Sequence, residues 1–277
     1  MLRSAALGAL VIGALVIGLP ASAQDWNNVE TPAPGPPQVI GTYTAGCIAG
    51  AVRLPSDGPG YEAIRLSRNH HWGHPATITF VEDLTQRFQA QGLPHVYVGD
   101  ISPPRGGPVF PLHASHQIGL DVDIFFDITN RPRLPPARRE MIVNRSMVLA
   151  NDTGLDLGIW QKGDVQMLKT AAERPATDRI FVNRWIKRYL CDNVGNDRAW
   201  LRKITPWYGH DDHFHVRLQC PPGNPLCQPQ SPMPPGDSCN ASLDWWFQPP
   251  PPPPATPPTP PRPPRLPPQC NAVLQAR

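Results

Sequence analysis

The sequence is poor in charged residues, and neither sign of charge is in large excess. Asp, Glu, Lys and Arg make up 17% of the 277 residues, with 25 basic against 22 acidic side chains. The basic residues are scattered along the chain, which argues against a nucleic-acid-binding function. A hydrophobic fraction of 40% is enough for a folded core. This excludes wholesale disorder, a collagen-like fibre and a polytopic membrane protein, and the length allows one large domain or two small ones.

The first 23 residues have the features of a secretory signal peptide. Arg3 supplies the early positive charge, residues 7–19 form an apolar stretch, and residues 21–23 (ASA) match a small-x-small cleavage site. Because 13 apolar residues are too few to span a bilayer comfortably, cleavage after Ala23 is favoured over retention as an anchor. No cysteine follows the apolar stretch, so a lipoprotein anchor is not expected. The sequence predicts an exported, soluble protein without a membrane anchor.

Six cysteines lie beyond the predicted signal peptide, at positions 47, 191, 220, 227, 239 and 270. An even number of cysteines in an exported chain predicts three disulfides, for which 15 pairings exist. A cysteine-based metal site is disfavoured because the chain has no CxxC spacing. Cys220 and Cys227 enclose a turn-rich hexapeptide, which favours a bond between them. The residues alone leave the other pairings open.

Proline is concentrated near the C-terminus, where residues 249–268 contain 14 of the 39 prolines. This composition predicts polyproline II. The segment could be a tether or a partner ligand, but Cys270 lies just beyond it and favours a strap pinned to the domain by a disulfide. We therefore predict a signal peptide over residues 1–23, a folded domain over residues 24–248 and a strap over residues 249–277.

The remaining pattern mixes helical and strand signals without a regular alternation. Residues 77–90 carry a helical apolar stripe after Pro75, and residues 162–172 and 182–190 also favour helices. Residues 95–99 have the composition of a strand. Together with the site strands described next, this predicts the α+β class, with a small antiparallel sheet flanked by helices and long disulfide-pinned loops.

Two segments combine strand alternation with polar side chains that bind metals. In residues 120–128, apolar side chains alternate with polar ones, which predicts a strand with one buried face and with Asp121 and Asp123 on the other. A turn with His113 and His116 precedes it. Residues 213–218 alternate in the same way, with both histidines on one face.

If these two strands share a sheet, His116, Asp123 and His215 meet at one point. Two imidazoles and a carboxylate with an open fourth position are typical of a catalytic zinc site. A single histidine is more often an ordinary core or loop residue, but four on the polar faces of apolar strands favour a function. Non-haem iron accepts the same ligands, whereas an exported protein with disulfides favours redox-inert zinc.

The segments HASHQIGLDVDIFF (residues 113–126) and HDDHFHVRLQCP (residues 210–221) closely resemble the penicillin-insensitive murein endopeptidases. These enzymes belong to the lysostaphin, D-alanyl-D-alanine peptidase and hedgehog-like metallopeptidase group. The resemblance extends over nearly the whole chain after residue 23. It implies a periplasmic zinc endopeptidase that hydrolyses D-alanyl–meso-diaminopimelyl cross-links of peptidoglycan. Penicillin would not inhibit such an enzyme, because the enzyme has no serine nucleophile that penicillin could acylate.

The resemblance also implies roles for individual residues. The zinc ligands would be His116, Asp123 and His215. His213 would be the non-ligand histidine that acts as general base or stabilises the oxyanion, and His210 would assist from the preceding turn. Asp121 would orient a ligand imidazole. The disulfides would be Cys47–Cys270, Cys191–Cys239 and Cys220–Cys227.

A second zinc that bridges two subunits is known in this family, and it uses the residue matching His113 with an aspartate and a histidine further along. The corresponding residues 151–156 contain no histidine here. We therefore expect one catalytic zinc, no homodimer that depends on a second ion, and His113 as a wall of the active site or a remnant of the second site.

Two other functions stay open. One is a D,D- or L,D-carboxypeptidase on the same scaffold, and the other is a non-catalytic cell-wall-binding protein with a zinc site. The presence of His213 favours an enzyme. His70, His71 and His74 are expected to line the cleft or to be structural. For the tryptophans at positions 245 and 246, core packing is expected and stacking on a sugar is the alternative.

Overall fold

The computed structural model describes residues 26–109, 111–249 and 265–277. The predicted signal peptide and most of the predicted strap, residues 250–264, lie outside these ranges. None of the helices within them has the length and apolar composition that crossing a bilayer requires.

The described residues form short strands and helices in an irregular order. The strands are β1 (Gln38–Thr42), β2 (Ala45–Ala49), β3 (Val52–Arg53), β4 (Asp57–Gly58), β5 (Tyr61–Ala63), β6 (Trp72–Gly73), β7 (Val96–Val98), β8 (Asp121–Phe125), β9 (Thr177–Val182), β10 (Ile204–Pro206) and β11 (His213–Leu218). The α-helices are α1 (Pro75–Ala90), α2 (Pro136–Arg139), α3 (Lys162–Ala172), α4 (Arg184–Asn193), α5 (Ala241–Asp244) and α6 (Gln269–Gln275). Short 3₁₀ helices cover Leu66–Arg68, Ala199–Lys203 and Trp245–Phe247.

The main sheet has seven strands in the order β10-β9-β11-β8-β7-β5-β4. The predicted α+β class is confirmed, but the sheet is larger than expected and mixed, because β9 with β10 and β5 with β7 run parallel. A parallel pair needs a crossover connection, and here α4 and α1 supply it. Strands of three residues, such as β5, β7 and β10, carry too little alternation to reveal this from the sequence.

Helix α1 begins where the sequence signals place it. The side chain of His74 accepts a hydrogen bond from the backbone N–H of Ala76, and Pro75 occupies the first helical position. One face of the helix is buried in the core. Helix α3 matches the predicted residues 162–172, whereas residue 182 ends strand β9 and helix α4 starts two residues later. His74 therefore has a structural role at a helix start.

Strand β8 departs from the prediction of one buried face. All five of its residues are buried, and so are five of the six in β11. The apolar side chains Val122, Ile124 and Phe214 pack in the main core. On the opposite face of β8, the loop that carries His116 contacts Asp121, and this residue is buried as well. These polar groups are thus held away from bulk water.

The three disulfides of the structure are the ones that the family resemblance implies: Cys47–Cys270, Cys191–Cys239 and Cys220–Cys227. The first joins β2 to α6 across 223 positions of the chain. Arg105 holds the same C-terminal helix by donating to the carbonyl groups of Val273 and Leu274 at 3.1 and 2.7 Å. The C-terminal residues therefore pack on the domain.

We expect the long-range disulfide to contribute more stability than the local one. In the chain-entropy model, removing Cys47–Cys270 costs roughly 5 kcal/mol and removing Cys220–Cys227 roughly 2 kcal/mol, because the first closes a far longer loop. The measurement is urea unfolding of the two double Cys→Ala variants. Equal losses of unfolding free energy would contradict this ranking.

Candidate metal centre

The pairing of β8 with β11 brings the polar side chains of both strands onto one face. The two strands are antiparallel, with His215 directly opposite Asp123 and Arg217 directly opposite Asp121. Cβ atoms of opposed residues lie about 4.5–5.5 Å apart, so their side chains meet. The sequence prediction that these strands share a sheet is confirmed.

His116 reaches the same point from the loop before β8. Its backbone has a positive φ of 64°, and its N–H donates to Asp121 Oδ2 at 3.0 Å. In the ring, Nδ1 lies 2.8 Å from the carbonyl oxygen of Ile101. A carbonyl can only accept, so Nδ1 carries the proton and the neutral ring has its lone pair on Nε2. That lone pair faces Asp123 Oδ1 at 3.3 Å.

His215 presents its other nitrogen to the same carboxylate. Its Nε2 lies 3.0 Å from Asp121 Oδ1, and its Nδ1 lies 3.3 Å from Asp123 Oδ1. With the proton of the neutral ring on Nε2, facing Asp121, the lone pair of Nδ1 is directed at Asp123. Within the described residues, Asp123 Oδ1, His116 Nε2 and His215 Nε2 have no hydrogen-bond partner. In these neutral tautomers, the acceptor atoms of His116, His215 and Asp123 converge on one point, which is the arrangement that a bound cation requires.

His113 also lies beside this point. One ligand atom each of His113, His116 and Asp123 lies within 4.8 Å of the others. The ring of His113 is held by Asp100, whose Oδ2 lies 2.8 Å from His113 Nε2. The described structure therefore offers two overlapping ligand sets, which share His116 and Asp123 and differ in whether His113 or His215 completes them.

Asp100 is a buried carboxylate that joins several basic groups. It accepts a hydrogen bond from Arg68 at 3.0 Å and lies 3.5 Å from His70 Nδ1, in addition to its contact with His113. Burial opposes ionisation of Asp100, but its hydrogen bonds to the histidines outweigh this effect and lower its pKa. Asp100 directly follows the residues predicted as a strand, but no sequence pattern marked it as a site residue. His71, by contrast, is buried and is not part of the cluster of His113, His116 and Asp123.

Asp121 connects His116 and His215 to the buried side chain of Arg217. Arg217 donates from Nε and Nη2 to the two oxygens of Asp121 at 2.8 and 3.1 Å, and its guanidinium lies over the ring of Tyr43. The guanidinium of Arg217 is thus paired with a carboxylate inside the fold. Burial opposes ionisation of Asp121, but the charges of Arg217 and His215 outweigh it and lower the pKa of this carboxyl group.

His213 and His210 lie at the open side of the cluster. His213 Nε2 is 3.6 Å from Asp123 Oδ1, and its Nδ1 is 2.6 Å from Asp212 Oδ1. Burial would lower the pKa of His213, but Asp123 and Asp212 outweigh it and raise the pKa. His210 donates from Nδ1 to the carbonyl of Tyr208, and its ring centroid lies 5.0 Å from that of His213. Burial and the charge of His213 lower its pKa to about 4.

The electrostatics of the cluster favour a positive charge beside Asp123. Burial opposes ionisation of Asp123, but the charges of His116 and His213 outweigh it and lower its pKa. Burial would also lower the pKa of His116, and the carboxylate of Asp123 instead raises it to about 9. Burial lowers the pKa of His215 to about 3. A metal ion bound here would take the place of the proton on His116.

The fold and this cluster define an α+β protein with a candidate metal centre of histidines and aspartates. The family model of the penicillin-insensitive murein endopeptidases matches residues 39–275, and the chain belongs to that family. A penicillin-insensitive murein endopeptidase of Haemophilus influenzae is 44% identical over 236 residues, covering 83% of this chain and 81% of the relative. One from Klebsiella pneumoniae subsp. pneumoniae is 41% identical over 255 residues, covering 91% and 92%.

We expect Arg217→Met to destabilise the fold strongly, because it leaves the carboxylate of Asp121 buried without its cation. Removing one partner of a buried pair costs about 3–5 kcal/mol. The double variant Asp121→Asn/Arg217→Met should lose less unfolding free energy than Arg217→Met, because it also removes the carboxylate that would be left unpaired. Urea unfolding at neutral pH measures both. A double variant less stable than Arg217→Met would contradict this account.

Proposed function

We propose that the protein is a periplasmic zinc endopeptidase that hydrolyses the D-alanyl–meso-diaminopimelyl cross-links of peptidoglycan. The observation that carries the proposal is the convergence of His116 Nε2 and His215 Nδ1 on Asp123 Oδ1, each at 3.3 Å. Membership of the murein endopeptidase family and relatives with that name support the substrate. The disulfides and the signal-peptide features at residues 1–23 support export.

The proposed ligands are His116, Asp123 and His215. Zinc bound there would supply a water molecule of lowered pKa and would polarise the scissile carbonyl. Asp121 would keep the ring of His215 in the tautomer that binds metal, and the carbonyl of Ile101 would do the same for His116. The ligands would thus be oriented before the metal arrives.

The proton transfers of amide hydrolysis would fall to His213. Because Asp212 holds Nδ1, the nitrogen that faces the centre is Nε2, which is the atom that would accept a proton from water and later donate it. His210 has its proton on Nδ1, facing a carbonyl, so its Nε2 can accept a hydrogen bond at the same side of the cluster. A base oriented by a carboxylate is a recurring arrangement in hydrolases.

The first test is digestion of purified cross-linked muropeptide dimers by the protein lacking residues 1–23. We expect conversion of dimers to monomers, loss of this activity with a chelator and its return on addition of zinc. Mass spectrometry of the fragments identifies the bond. Release of free D-alanine from intact dimers would instead indicate a carboxypeptidase. Zinc binding at unit stoichiometry without any cleavage would indicate a cell-wall-binding protein.

A second test separates ligands from the proposed base. His213→Ala should keep one zinc per chain and lose about 10²–10⁴-fold in kcat, whereas His215→Ala should lose the metal. His74→Asn is the matched control, because asparagine also caps a helix start and the residue lies outside the cluster. Zinc content by atomic absorption and kcat on dimers are measured for each.

The same measurement on His113→Ala decides between the two ligand sets. The proposal expects that variant to retain zinc, because His113 is bound to Asp100 and is not a ligand. Loss of zinc in His113→Ala with retention in His215→Ala would replace His215 by His113 in the ligand set.

A further inference from the structure

A groove lined by aromatic rings lies beside the candidate metal centre. It has a volume of about 560 Å³. We call it the aromatic groove and define it by Trp207, Tyr208, Trp246, Asn183, Asp152 and Asp211. Two of its rings come from the loop between β10 and β11, and the third comes from the 3₁₀ helix Trp245–Phe247.

Two of the three rings of the groove are exposed, Trp207 to 50% and Tyr208 to 67%, and Trp246 is half-buried. Outside the groove, Trp245 is 57% exposed. The expectation of core packing for residues 245 and 246 was therefore wrong for Trp245. The rings of Trp207 and Tyr208 meet that of Trp246 at angles of 57° and 58°. Rings tilted in this way are not stacked face to face, and the exposure of Trp207 and Tyr208 leaves apolar ring surface available to a ligand.

The aromatic groove is connected to the centre through a single ring. Phe181 packs edge-on against Trp207 with centroids 5.7 Å apart, and its ring also contacts those of His215 at 5.2 Å and His210 at 6.1 Å. In addition, the carbonyl of Tyr208 holds Nδ1 of His210 at 2.8 Å. A ligand stacked on Trp207 would therefore be separated from His215 by the ring of Phe181.

The lining of the groove is mixed in character, which limits the class of ligand. Asp211 has no side-chain partner within the described residues, while Asp152 binds Arg184 and the indole N–H of Trp185. A purely apolar ligand would bury the carboxylate of Asp211 without a hydrogen bond, at a cost in free energy. A sugar ring presents an apolar face of C–H groups that can stack on an aromatic ring, together with hydroxyl and amide groups at its edge that can bind a carboxylate.

We propose that the aromatic groove binds the N-acetylated aminosugars of the glycan strand from which the cross-linked peptide extends. The inference rests on the proposed function, because it names the part of the same substrate that lies beside the scissile bond. An extended peptide of four residues spans roughly 13 Å. A stem peptide of that length could join a sugar in the groove to a bond at the centre.

The test compares two substrates that share one cross-link. One is a dimer that carries its disaccharides, and the other is the same peptide dimer after an amidase has removed the sugars. We expect kcat/KM to be about three- to tenfold higher with the sugars, the range that one or two aromatic contacts supply. In Tyr208→Ala this ratio should fall to about one, while Tyr208→Phe, which keeps the ring, should restore it.

Trp245→Ala is the matched control, because it removes an exposed aromatic ring that does not line the groove and that meets the groove ring of Trp246 edge-on at 5.3 Å. Its ratio should stay at the wild-type value. A wild-type ratio of one, or a ratio that Tyr208→Ala leaves unchanged, would overturn the proposal and would indicate that the groove binds peptide or nothing.

A binding measurement separates this inference from the proposed function. The probe is the β-1,4-linked tetramer of N-acetylglucosamine, titrated into the protein while tryptophan fluorescence is recorded. We expect saturable quenching in the wild type, a loss of affinity of at least threefold in Tyr208→Ala, and no change in Trp245→Ala. Quenching without hydrolysis of any dimer would support the groove and contradict the endopeptidase. Hydrolysis of dimers without quenching, and with equal kcat/KM for the dimers with and without sugars, would support the endopeptidase and contradict sugar binding in the groove.

Discussion

The antiparallel register of β8 and β11 is the constraint on which the centre depends. It sets Asp123 opposite His215 and Asp121 opposite Arg217. Because side chains alternate between the two faces of a strand, a shift of one residue would move the whole polar set of one strand to the opposite face. The apolar residues between them, Val122, Ile124 and Val216, are fully buried in the core, so such a shift would also expose them. The register that forms the core is thus the one that forms the centre.

The second constraint is the burial of three carboxylates in and around the centre. Asp100, Asp121 and Asp123 are all buried, and an unpaired carboxylate is costly in such a place. Arg68 and His113 bind Asp100, and Arg217 binds Asp121. Around Asp123 Oδ1, which points into the cluster, there are only histidine nitrogens. The asymmetry explains why a cation would bind at Asp123 and not at the other two.

The sequence predicted the parts of the fold that carry strong local signals. Strand alternation located β8 and β11, and a start signal at Pro75 with an apolar stripe located α1, since these elements are long enough for a period to be read. Residues 162–172 also favoured a helix, and α3 covers them. The parallel pairs β5–β7 and β9–β10 could not be read, because three of these strands have three residues. Asp100 was missed for a related reason. Its partners Arg68 and His113 are distant in sequence, and only the folded chain brings them together.

The loop between β10 and β11 couples the aromatic groove to the centre. Residues 207–212 supply two rings of the groove as well as His210 and the partner of His213. The positive φ values of 64° and 54° at Gly209 and His210 turn the chain sharply between the two regions. Backbone bonds from Asn183, Met147 and Phe126 hold the carbonyls of residues 210, 211 and 212 at 2.7–3.0 Å. The loop is thus fixed at three successive residues. The aromatic groove and the proposed base His213 therefore form one preorganised unit, so that a ligand bound in the groove requires no rearrangement at the centre.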